Sequence, residues 1–470
     1  MAEPWELGIA EAAELLRARQ LSAVELLDSV LDRLRATEDF AHAWAHVDAA
    51  GARSAAVAAD TNACAGRFGG SLHGIPIGVK DVIDVRGMPT EGGSKALRGH
   101  VAPDDAGAVG QLRRSGAVLL GKTQTHEFAF GQGTPPSRNP WDPHRYAGGS
   151  SVGSGVAVAV GSVPGSLGTD TGGSVRNPAA VNGLVGFKPT SGLVDGSGVL
   201  NISHTLDHIG PIARSVADCA ALLDGMIDSS ASALLAGPLL PRIESLRSPI
   251  RVAVDRGMWS EWGVTQEVAA VMERAVTVLR DLGVDVIELP LPELSMALPA
   301  SLAISLSEAF GHHRTRLGRA PDKYLPGTRV MIETGALVDP RDVDLAHEVR
   351  EYLRAFIADA MEAAGVDALV SPTLPAIAPP AAGMAHELTG EADGSSLAAA
   401  LRMLTTANLT GMPALSVPCG FAGGQPVGMH VMGRRFSDAT ILAVARAYEA
   451  ATSWRTHVPV RELPSPIPGR

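Results

Sequence analysis

Hydrophobic positions near the N-terminus recur at the spacing of an α-helix. Four apolar residues, three or four positions apart, fall on one helical face: Val24, Leu27, Leu31 and Leu34. Ser22 precedes this run, and Glu25 lies three residues after Ser22. This spacing is typical of a capping box, in which the side chain of each residue accepts a hydrogen bond from the other's backbone amide. The sequence therefore predicts a helix that begins at Ser22.

Later segments alternate between strand-like and helix-like patterns. The apolar run IRVAV begins at Ile250, an amphipathic stretch extends over 265–282, and VDVIEL follows after a glycine. Strand patterns also occur in GAVLLGK from Gly116 and in VDALVSP from Val366. This alternation predicts an α/β fold with a mixed or mainly parallel sheet. The stretch from Pro372 to Gly390 is rich in Pro, Ala and Gly and predicts a long loop.

Composition excludes several classes of protein. The chain has 470 residues, 46% hydrophobic and 19% charged, which is enough to bury a large core. Its net charge of −11 and the scattering of its Lys and Arg residues argue against a nucleic-acid partner. Its three cysteines are too few and too far apart for a disulfide framework or a zinc site: Cys64, Cys219 and Cys419. The adjacent His312 and His313 lack the i,i+4 spacing of two metal ligands on one helical face.

The sequence does not show the hydrophobic and basic pattern that is typical of a targeting segment. The N-terminal residues contain no basic region followed by an apolar one, and no uninterrupted apolar stretch of about 18 residues occurs. We expect a cytoplasmic protein with no membrane contact.

One motif suggests nucleotide binding. The string GAVLLGKT, from Gly116 to Thr123, fits the phosphate-binding pattern G-x-x-x-x-G-K-[ST]. A phosphate cradle needs backbone amides that turn inward, whereas the interior of this string is apolar and resembles a buried strand. We therefore predict a strand here and no nucleotide site.

A second motif suggests an α/β-hydrolase. The string GSSVG, from Gly149 to Gly153, fits G-x-S-x-G with Ser151 as nucleophile. That motif requires a strand directly before it, but the preceding residues, NPWDPHRYAG, contain Pro140 and Pro143, which a central strand would not. The α/β-hydrolase fold remains a less favoured alternative.

Three other segments concentrate residues that need a chemical explanation: GIPIGVKD, which ends with Lys80 and Asp81, GGSSVGSG from Gly148, and GTDTGGSVRNPAA from Gly168. Serines inside Gly-rich backbone are entropically costly, but such backbone can direct amide groups at a developing negative charge. The apolar residues before Lys80 predict a buried ammonium group, whose pKa falls from about 10.4 toward 7. A surface lysine paired with Asp81 is the alternative.

Together these segments resemble the amidase signature family. The resemblance extends in the family's order to GKTQTHEFAFG from Gly121, GLVGFKPTSGLV from Gly183, LDHIGPIARSVADCA from Leu206, VSPTLP from Val370 and NLTGMPALSVPCGF from Asn408. It covers nearly the whole chain and is weakest over 230–359. It implies an α/β amidase signature fold, with a central mixed sheet flanked by helices on both faces. It also implies a single domain over 1–470, with a catalytic core at about 60–230 and 400–455 and a variable, substrate-shaping region at about 231–395.

By position, the resemblance implies a catalytic triad in which Lys80 is the base, Ser150, after a cis peptide bond, is the proton relay, and Ser174 is the nucleophile. It implies an oxyanion hole made of four backbone amides: Thr171, Gly172, Gly173 and Ser174. Neighbouring side chains are candidates for hydrogen bonds that support this geometry, with an Asp170–Arg176 ion pair among them: Ser151, Thr169, Asp170 and Arg176. We expect Met88, Phe128 and Phe130, together with the region 230–359 and the loop after Pro372, to shape the substrate pocket. The chemistry requires no metal and no organic cofactor.

The implied activity is hydrolysis of a C–N bond in a small amide, with aryl or alkyl amides first and carbamates (urethanes) or esters as chemical relatives. The protein would act as a monomer or a homodimer. The alternative is the amidase subunit of a tRNA-dependent amidotransferase, which passes ammonia to a partner. After KPTSG, however, this chain continues LVDGSGVLNISH, where that subunit has a longer basic and aromatic run. A catalytically silent binding protein would have lost a triad residue, and none is lost here.

Overall fold

A computed structural model describes residues 3–131, 133, 135–244, 249–391, 393–454 and 457–459. Within them, eleven strands form one sheet: β1 (Trp44–Val47), β2 (Pro76–Lys80), β3 (Val118–Thr123), β4 (Gly165–Asp170), β5 (Val185–Lys188), β6 (His208–Ala213), β7 (Arg251–Val254), β8 (Asp285–Glu288), β9 (Ala368–Pro372), β10 (Ala414–Ala422) and β11 (Gln425–Gly433). Their order is β1-β3-β2-β4-β6-β5-β10-β11-β9-β7-β8.

The described chain also contains sixteen α-helices: α1 (Ile9–Arg17), α2 (Ala23–Ala41), α3 (Ala49–Cys64), α4 (Gly107–Arg114), α5 (Val152–Ala159), α6 (Arg176–Asn182), α7 (Val216–Met226), α8 (Ser229–Leu234), α9 (Arg256–Glu261), α10 (Gln266–Asp281), α11 (Ala297–Arg319), α12 (Pro326–Thr334), α13 (Pro340–Ala363), α14 (Ala381–Thr389), α15 (Ser395–Thr410) and α16 (Asp438–Ala450).

The sheet is mixed, which confirms the α/β prediction. Strand β2 runs parallel to β3 and β4, and β7 runs parallel to β8 and β9, whereas the strands between these groups pair antiparallel. The central strands β2, β3, β4, β5 and β6 are buried along their whole length. The consecutive residues of β2 therefore all lie in the interior, including the lysine at its end.

Local predictions agree with the structure at several points. Helix α2 begins after Ser22, and the capping box with Glu25 is formed in both directions. The region 251–288 is a β-α-β unit built from β7, α10 and β8, with the short helix α9 between β7 and α10. Val118–Thr123 is a buried strand, so the residues that would have to cradle a phosphate lie in the sheet.

The prediction of a continuous loop from Pro372 to Gly390 is wrong. Residues Ala381–Thr389 form α14, which ends at Gly390 with a left-handed backbone conformation (φ 80°). Alanine is a strong helix former, and Pro380 stands directly before the first helical residue, where its missing amide costs no hydrogen bond. The irregular part is therefore confined to the residues between β9 and α14.

One apolar helical segment needs separate mention. In the described part of the chain, Pro292–Arg319 is long and apolar enough to span a membrane by length and composition alone, because it contains an 18-residue window with a mean hydropathy of 1.3. Its helix α11 packs instead against α12, α13 and α15. Ser301 and Ser305 on this helix face a cavity inside the protein.

Candidate active site

Lys80 ends the buried strand β2 and is completely shielded from solvent. Its Nζ lies 2.8 Å from Ser150 Oγ and 2.7 Å from Thr169 Oγ1. Burial lowers the pKa of Lys80 to about 7, because the charged amine loses its hydration, and the negative charges of Asp207 and Asp170 oppose this effect. A substantial fraction of Lys80 is therefore neutral at pH 7 and able to accept a proton.

Ser150 lies in the loop before α5, and the Gly149–Ser150 peptide bond is cis. Gly149 is enclosed: a Cβ at this position would lie 2.6 Å from both His126 Nε2 and Tyr146 Oη. The backbone N–H of His126 donates to the Ser150 carbonyl (3.2 Å). These contacts hold Ser150 against Lys80, and only glycine fits before it.

Ser151 connects the two Gly-rich segments. Its N–H donates to the Ser174 carbonyl (3.3 Å), and its hydroxyl donates to the Thr169 carbonyl (3.1 Å) and accepts from the Thr169 amide (3.2 Å). Because Ser151 is fully buried and its hydroxyl is hydrogen-bonded inside the protein, it serves as a support, which argues against Ser151 as the nucleophile of a G-x-S-x-G motif.

The loop from Thr171 to Val175 follows β4 and carries Ser174 to the surface of a cavity, which Ser150 also lines. Asp170 organises this loop, since its carboxylate accepts hydrogen bonds from the N–H groups of Gly173 (2.8 Å) and Val175 (3.0 Å). Of the four amides expected in the oxyanion hole, that of Gly173 is thus already bound to Asp170.

Gly173 contributes its conformation instead. Its φ of 118° lies in a region that favours glycine, and a Cβ there would come within 2.3 Å of Leu404 Cδ1.

The expected ion pair between Asp170 and Arg176 is present, with both side chains fully buried and Arg176 Nη2 2.8 Å from Asp170 Oδ1. Burial alone would raise the pKa of Asp170, but the charge and hydrogen bonds of Arg176 hold it well below its usual range. Arg176 also donates to the Leu404 carbonyl (3.0 Å). The pair thus ties the loop to helix α15.

Three residues that the sequence analysis did not single out belong to this network. Asn408 Nδ2 donates to Asp170 Oδ1 (2.9 Å), and its Oδ1 accepts from Arg176 Nη2 (2.7 Å). Arg176 Nη1 lies 2.9 Å from His430 Nε2. Burial lowers the pKa of His430 well below its ordinary value, and the positive charge of Arg176 lowers it further. His430 is therefore neutral and accepts this hydrogen bond.

Asp207 is the third, and it holds Thr171. The Thr171 hydroxyl donates to Asp207 Oδ1 (2.6 Å), while Oδ2 accepts from the amides of Ile202 and Ser203. Burial raises the pKa of Asp207 to about 6 despite these hydrogen bonds. Both Asp207 and Asn408 lie in segments that resembled the family, so the signal was present. Their contacts with Thr171, Asp170 and Arg176, however, join residues more than 30 positions apart.

The cavity at Ser174 has a volume of about 130 Å³. Its walls come mainly from α11 and α15, with Phe130 and Met331 closing one side. No charged side chain of the described residues lines it. It is thus suited to uncharged, apolar groups.

The three residues that the sequence analysis assigned to the pocket lie at different distances from this cavity. Phe130 lines the cavity. Phe128 is fully buried behind it and packs against the rings of His313 (centroids 4.6 Å apart) and Tyr324 (5.2 Å), so it supports the wall without lining it. Met88 belongs to the main hydrophobic core and does not line the cavity, because backbone hydrogen bonds with Val85 and Ala102 turn its loop away.

The chain matches a known protein family. The Amidase family model matches residues 25–442. The chain belongs to the Amidase family.

Among its relatives are an amidase from Pseudomonas putida, 38% identical over 96% of this chain and 97% of the relative, and a glutamyl-tRNA(Gln) amidotransferase subunit from Roseiflexus sp. (strain RS-1), 37% identical over 97% and 98%. A crystal structure of an amidase superposes with a TM-score of 0.84 and 35% identity, covering 94% of this chain and 99% of the other.

Among the residues that the structure describes in this Amidase family member, no three His, Cys, Asp or Glu side chains are grouped as the ligands of a metal ion would be. Cys219 and Cys419 are buried free thiols, and Cys64 is an exposed one.

Proposed function

We propose that this protein is an amidohydrolase that cleaves aryl or alkyl amides through an acyl-enzyme on Ser174. The observation that carries the proposal is the position of Lys80. A fully buried amine with a pKa of about 7 lies 2.8 Å from the Ser150 hydroxyl, and Ser150 and Ser174 line the same cavity. A buried amine that is held by two hydroxyl groups beside a cavity is suited to accept a proton from one of them.

The proton path follows from these positions. Neutral Lys80 accepts the proton of Ser150, and Ser150 accepts that of Ser174, so that the Ser174 oxygen attacks the substrate carbonyl. The same path in reverse delivers a proton to the nitrogen of the leaving amine when the C–N bond breaks. Water then replaces the amine, and a second cycle of the relay releases the acid and regenerates Ser174.

The negative charge that develops on the carbonyl oxygen needs nearby donors. The backbone amides of Thr171, Gly172 and Ser174 are the candidates, because the Gly173 amide is bound to Asp170. Such donors are effective because the loop holds them in place before reaction, and removal of one donor in other enzymes costs about 3–4 kcal/mol. Asp170 and Asp207 fix the loop from two sides.

The lining of the cavity supports an uncharged substrate. A carboxylate or ammonium group of a substrate would lose its hydration in this cavity, and none of the described residues that line it offers an opposite charge in return. We propose amides with apolar acyl groups as the principal substrates. Carbamates and esters are secondary substrates, because their carbonyl groups undergo the same acyl transfer.

A second candidate is the amidase subunit of a tRNA-dependent amidotransferase. It is favoured by the 37% identity, over nearly full length, to a relative with that name. An ammonia donor of the free amino-acid amide type carries an ammonium and a carboxylate group, which the uncharged cavity does not match. We therefore favour a cytoplasmic enzyme that acts alone, as a monomer or homodimer, on small molecules and without nucleic acid or membrane.

Matched p-nitroanilide, carbamate and ester substrates test the proposal with the wild type and a folded Ser174→Ala variant. We expect the wild type to hydrolyse the anilide and the variant to lose several orders of magnitude in kcat/KM. Retention of activity in the variant would reject Ser174 as the nucleophile. Inactivity of the isolated wild type, combined with copurification of a larger partner protein and activity in that complex, would favour the amidotransferase alternative.

A further inference from the structure

A second cavity of about 280 Å³ adjoins the cavity at Ser174. The two share four lining residues: Tyr146, Asn177, Leu397 and Ala400. The second cavity extends toward the irregular segment between β9 and α14, where Leu374 and Ile377 contribute apolar walls, and toward Ala399 of α15. None of the described residues that line it is charged. The two cavities are thus neighbours, and Tyr146 and Asn177 belong to the walls of both.

Asn177, which lines both cavities, carries a buried polar atom without a partner among the described residues. Its buried side-chain oxygen accepts no hydrogen bond from any residue that the structure describes. A buried acceptor without a partner is unfavourable, so such a group in a cavity is suited to a donor supplied by a ligand. Asn177 lies three residues after Ser174 and its backbone N–H donates to the Gly173 carbonyl (2.7 Å), which fixes it relative to the loop.

The position of Ser150 indicates which end of the substrate enters the second cavity. Ser150 must reach the leaving nitrogen to protonate it, so the amine has to lie on the Ser150 side of Ser174. Tyr146 occupies that side, because its hydroxyl packs against Gly149, the residue directly before Ser150. The substituent on the leaving nitrogen therefore points toward Tyr146 and Asn177, and the acyl group points toward α11.

We propose that the second cavity is a subsite for the amine portion of an N-substituted amide, and that Asn177 accepts a hydrogen bond from the scissile N–H. This inference rests on the proposed function and adds the class of leaving group. Ammonia is the size of a water molecule, which takes up about 30 Å³ in the liquid. A cavity of about 280 Å³ is far larger, and its apolar walls suit an aryl or alkyl amine.

The first test uses variants that fill one cavity each. Ala399→Trp places an indole in the second cavity, and the matched Ser305→Trp places one in the first, since Ser305 lines only that cavity. Substrates share one acyl group and differ in the amine: ammonia, methylamine, aniline and 2-naphthylamine.

We expect Ala399→Trp to lower kcat/KM at least tenfold for the naphthylamide and less than twofold for the primary amide. Ser305→Trp should lower all four alike. Equal losses across the series in Ala399→Trp would overturn the assignment of the second cavity.

The second test measures the contribution of the hydrogen bond between Asn177 and the scissile N–H group of the substrate. An ester and an N-alkyl amide with the same acyl group differ in that only the amide offers a donor to Asn177. We expect Asn177→Ala to lower kcat/KM about tenfold for the amide and to leave the ester unchanged, whereas a purely structural role would impair both. Equal effects on both substrates would overturn the role of Asn177.

Failure of the subsite can be separated from failure of the proposed function. If Ser174→Ala abolishes activity but Ala399→Trp shows no dependence on the amine, only the subsite is wrong. If the wild type hydrolyses none of the compounds, the proposed function fails, and calorimetric titration with 2-naphthylamine decides the subsite. The subsite is supported if the wild type and Ser305→Trp bind 2-naphthylamine and Ala399→Trp does not. It is rejected if the wild type does not bind 2-naphthylamine.

Discussion

Lys80 Nζ lies 2.8 Å from Ser150 Oγ, and both residues are buried. The short strand β2 carries Lys80 there, and Thr169 on the neighbouring strand β4 holds the nitrogen from a second side. The amine is thus fixed by two hydroxyl groups and not by a carboxylate. This arrangement keeps it near its ionisation point at pH 7, where a base is most useful.

The pH dependence of catalysis should report the ionisation of Lys80. Below its pKa of about 7 the ammonium form cannot accept a proton, so kcat/KM should rise with pH and level off once Lys80 is neutral. A profile of kcat/KM for the anilide between pH 5 and 10 should therefore have an acid limb with an apparent pKa near 7.

Asp207 provides the control for this assignment. Its negative charge favours the ammonium form of Lys80, so Asp207→Asn should move the acid limb to lower pH. Lys80 as the base would be contradicted if the apparent pKa of the acid limb were the same in Asp207→Asn and the wild type. It would also be contradicted if that pKa were near the ordinary lysine value of about 10.4 in the wild type.

Thr169→Val should slow catalysis without loss of the fold. The variant removes the hydrogen bond that orients Lys80, and we expect kcat to fall about 10- to 100-fold, equivalent to about 1.4–3 kcal/mol, with KM little changed. Thr90→Val is the matched control, because Thr90 holds another buried lysine, Lys122 (2.8 Å), outside the cavity. It should lower the melting temperature and leave kcat intact. Equal kcat values in the two variants would refute the orienting role.

Gly173→Ala should damage the loop that carries Ser174. The left-handed φ of 118° and the contact with Leu404 leave no room for a methyl group, so we expect at least a hundredfold loss of kcat. Gly172→Ala is the comparison, since its Cβ would meet the end of the Leu401 side chain at 3.0 Å, which can shift, and Thr405 Cγ2 at 3.4 Å, which is an ordinary contact. Steady-state kinetics should show less than a tenfold loss for Gly172→Ala. The reverse order of severity would show that the described loop conformation is wrong.

Arg176→Met should destabilise the protein strongly. The variant leaves the carboxylate of Asp170 buried without its partner, and the loss of one member of a buried pair costs about 3–5 kcal/mol. Denaturant unfolding at pH 7 measures this loss.

Acid pH should reduce the difference between wild type and Arg176→Met. The native pKa of Asp170 is depressed, so its stabilising contribution is complete above the unfolded pKa of about 3.9 and decreases as the pH falls below it. The control is Arg341→Met, which breaks an exposed ion pair with Asp339. It should not change the denaturant concentration at the midpoint of unfolding. A similar effect of the two variants would contradict the importance of the buried pair.

Sequence reasoning was most successful where the signal was local. The capping box at Ser22, the strand at Val118–Thr123 and the burial of Lys80 after an apolar run all depend on neighbouring residues, and the structure agrees with each. The order of the eleven strands was not accessible, because it depends on contacts between distant segments such as β5 with β10.

The supporting network was the least accessible part of the site. Asn408 and His430 reach Arg176 from more than 230 positions away in the chain, and no spacing rule connects them. Likewise, the Gly173 amide could not be recognised as a partner of Asp170 until the turn of the loop was known. Met88 was misplaced because apolar residues before a loop are equally typical of a core and of a pocket.

The most direct test of the central claim is to trap the acyl-enzyme. Wild type mixed with a p-nitrophenyl ester and quenched in acid within seconds should gain the mass of one acyl group, and tandem mass spectrometry of its peptides should locate the group on Ser174. Ser150→Ala should accumulate less of it, because the relay is broken. An acyl group on Ser150 or Ser151, or turnover without any acylated serine, would contradict the account.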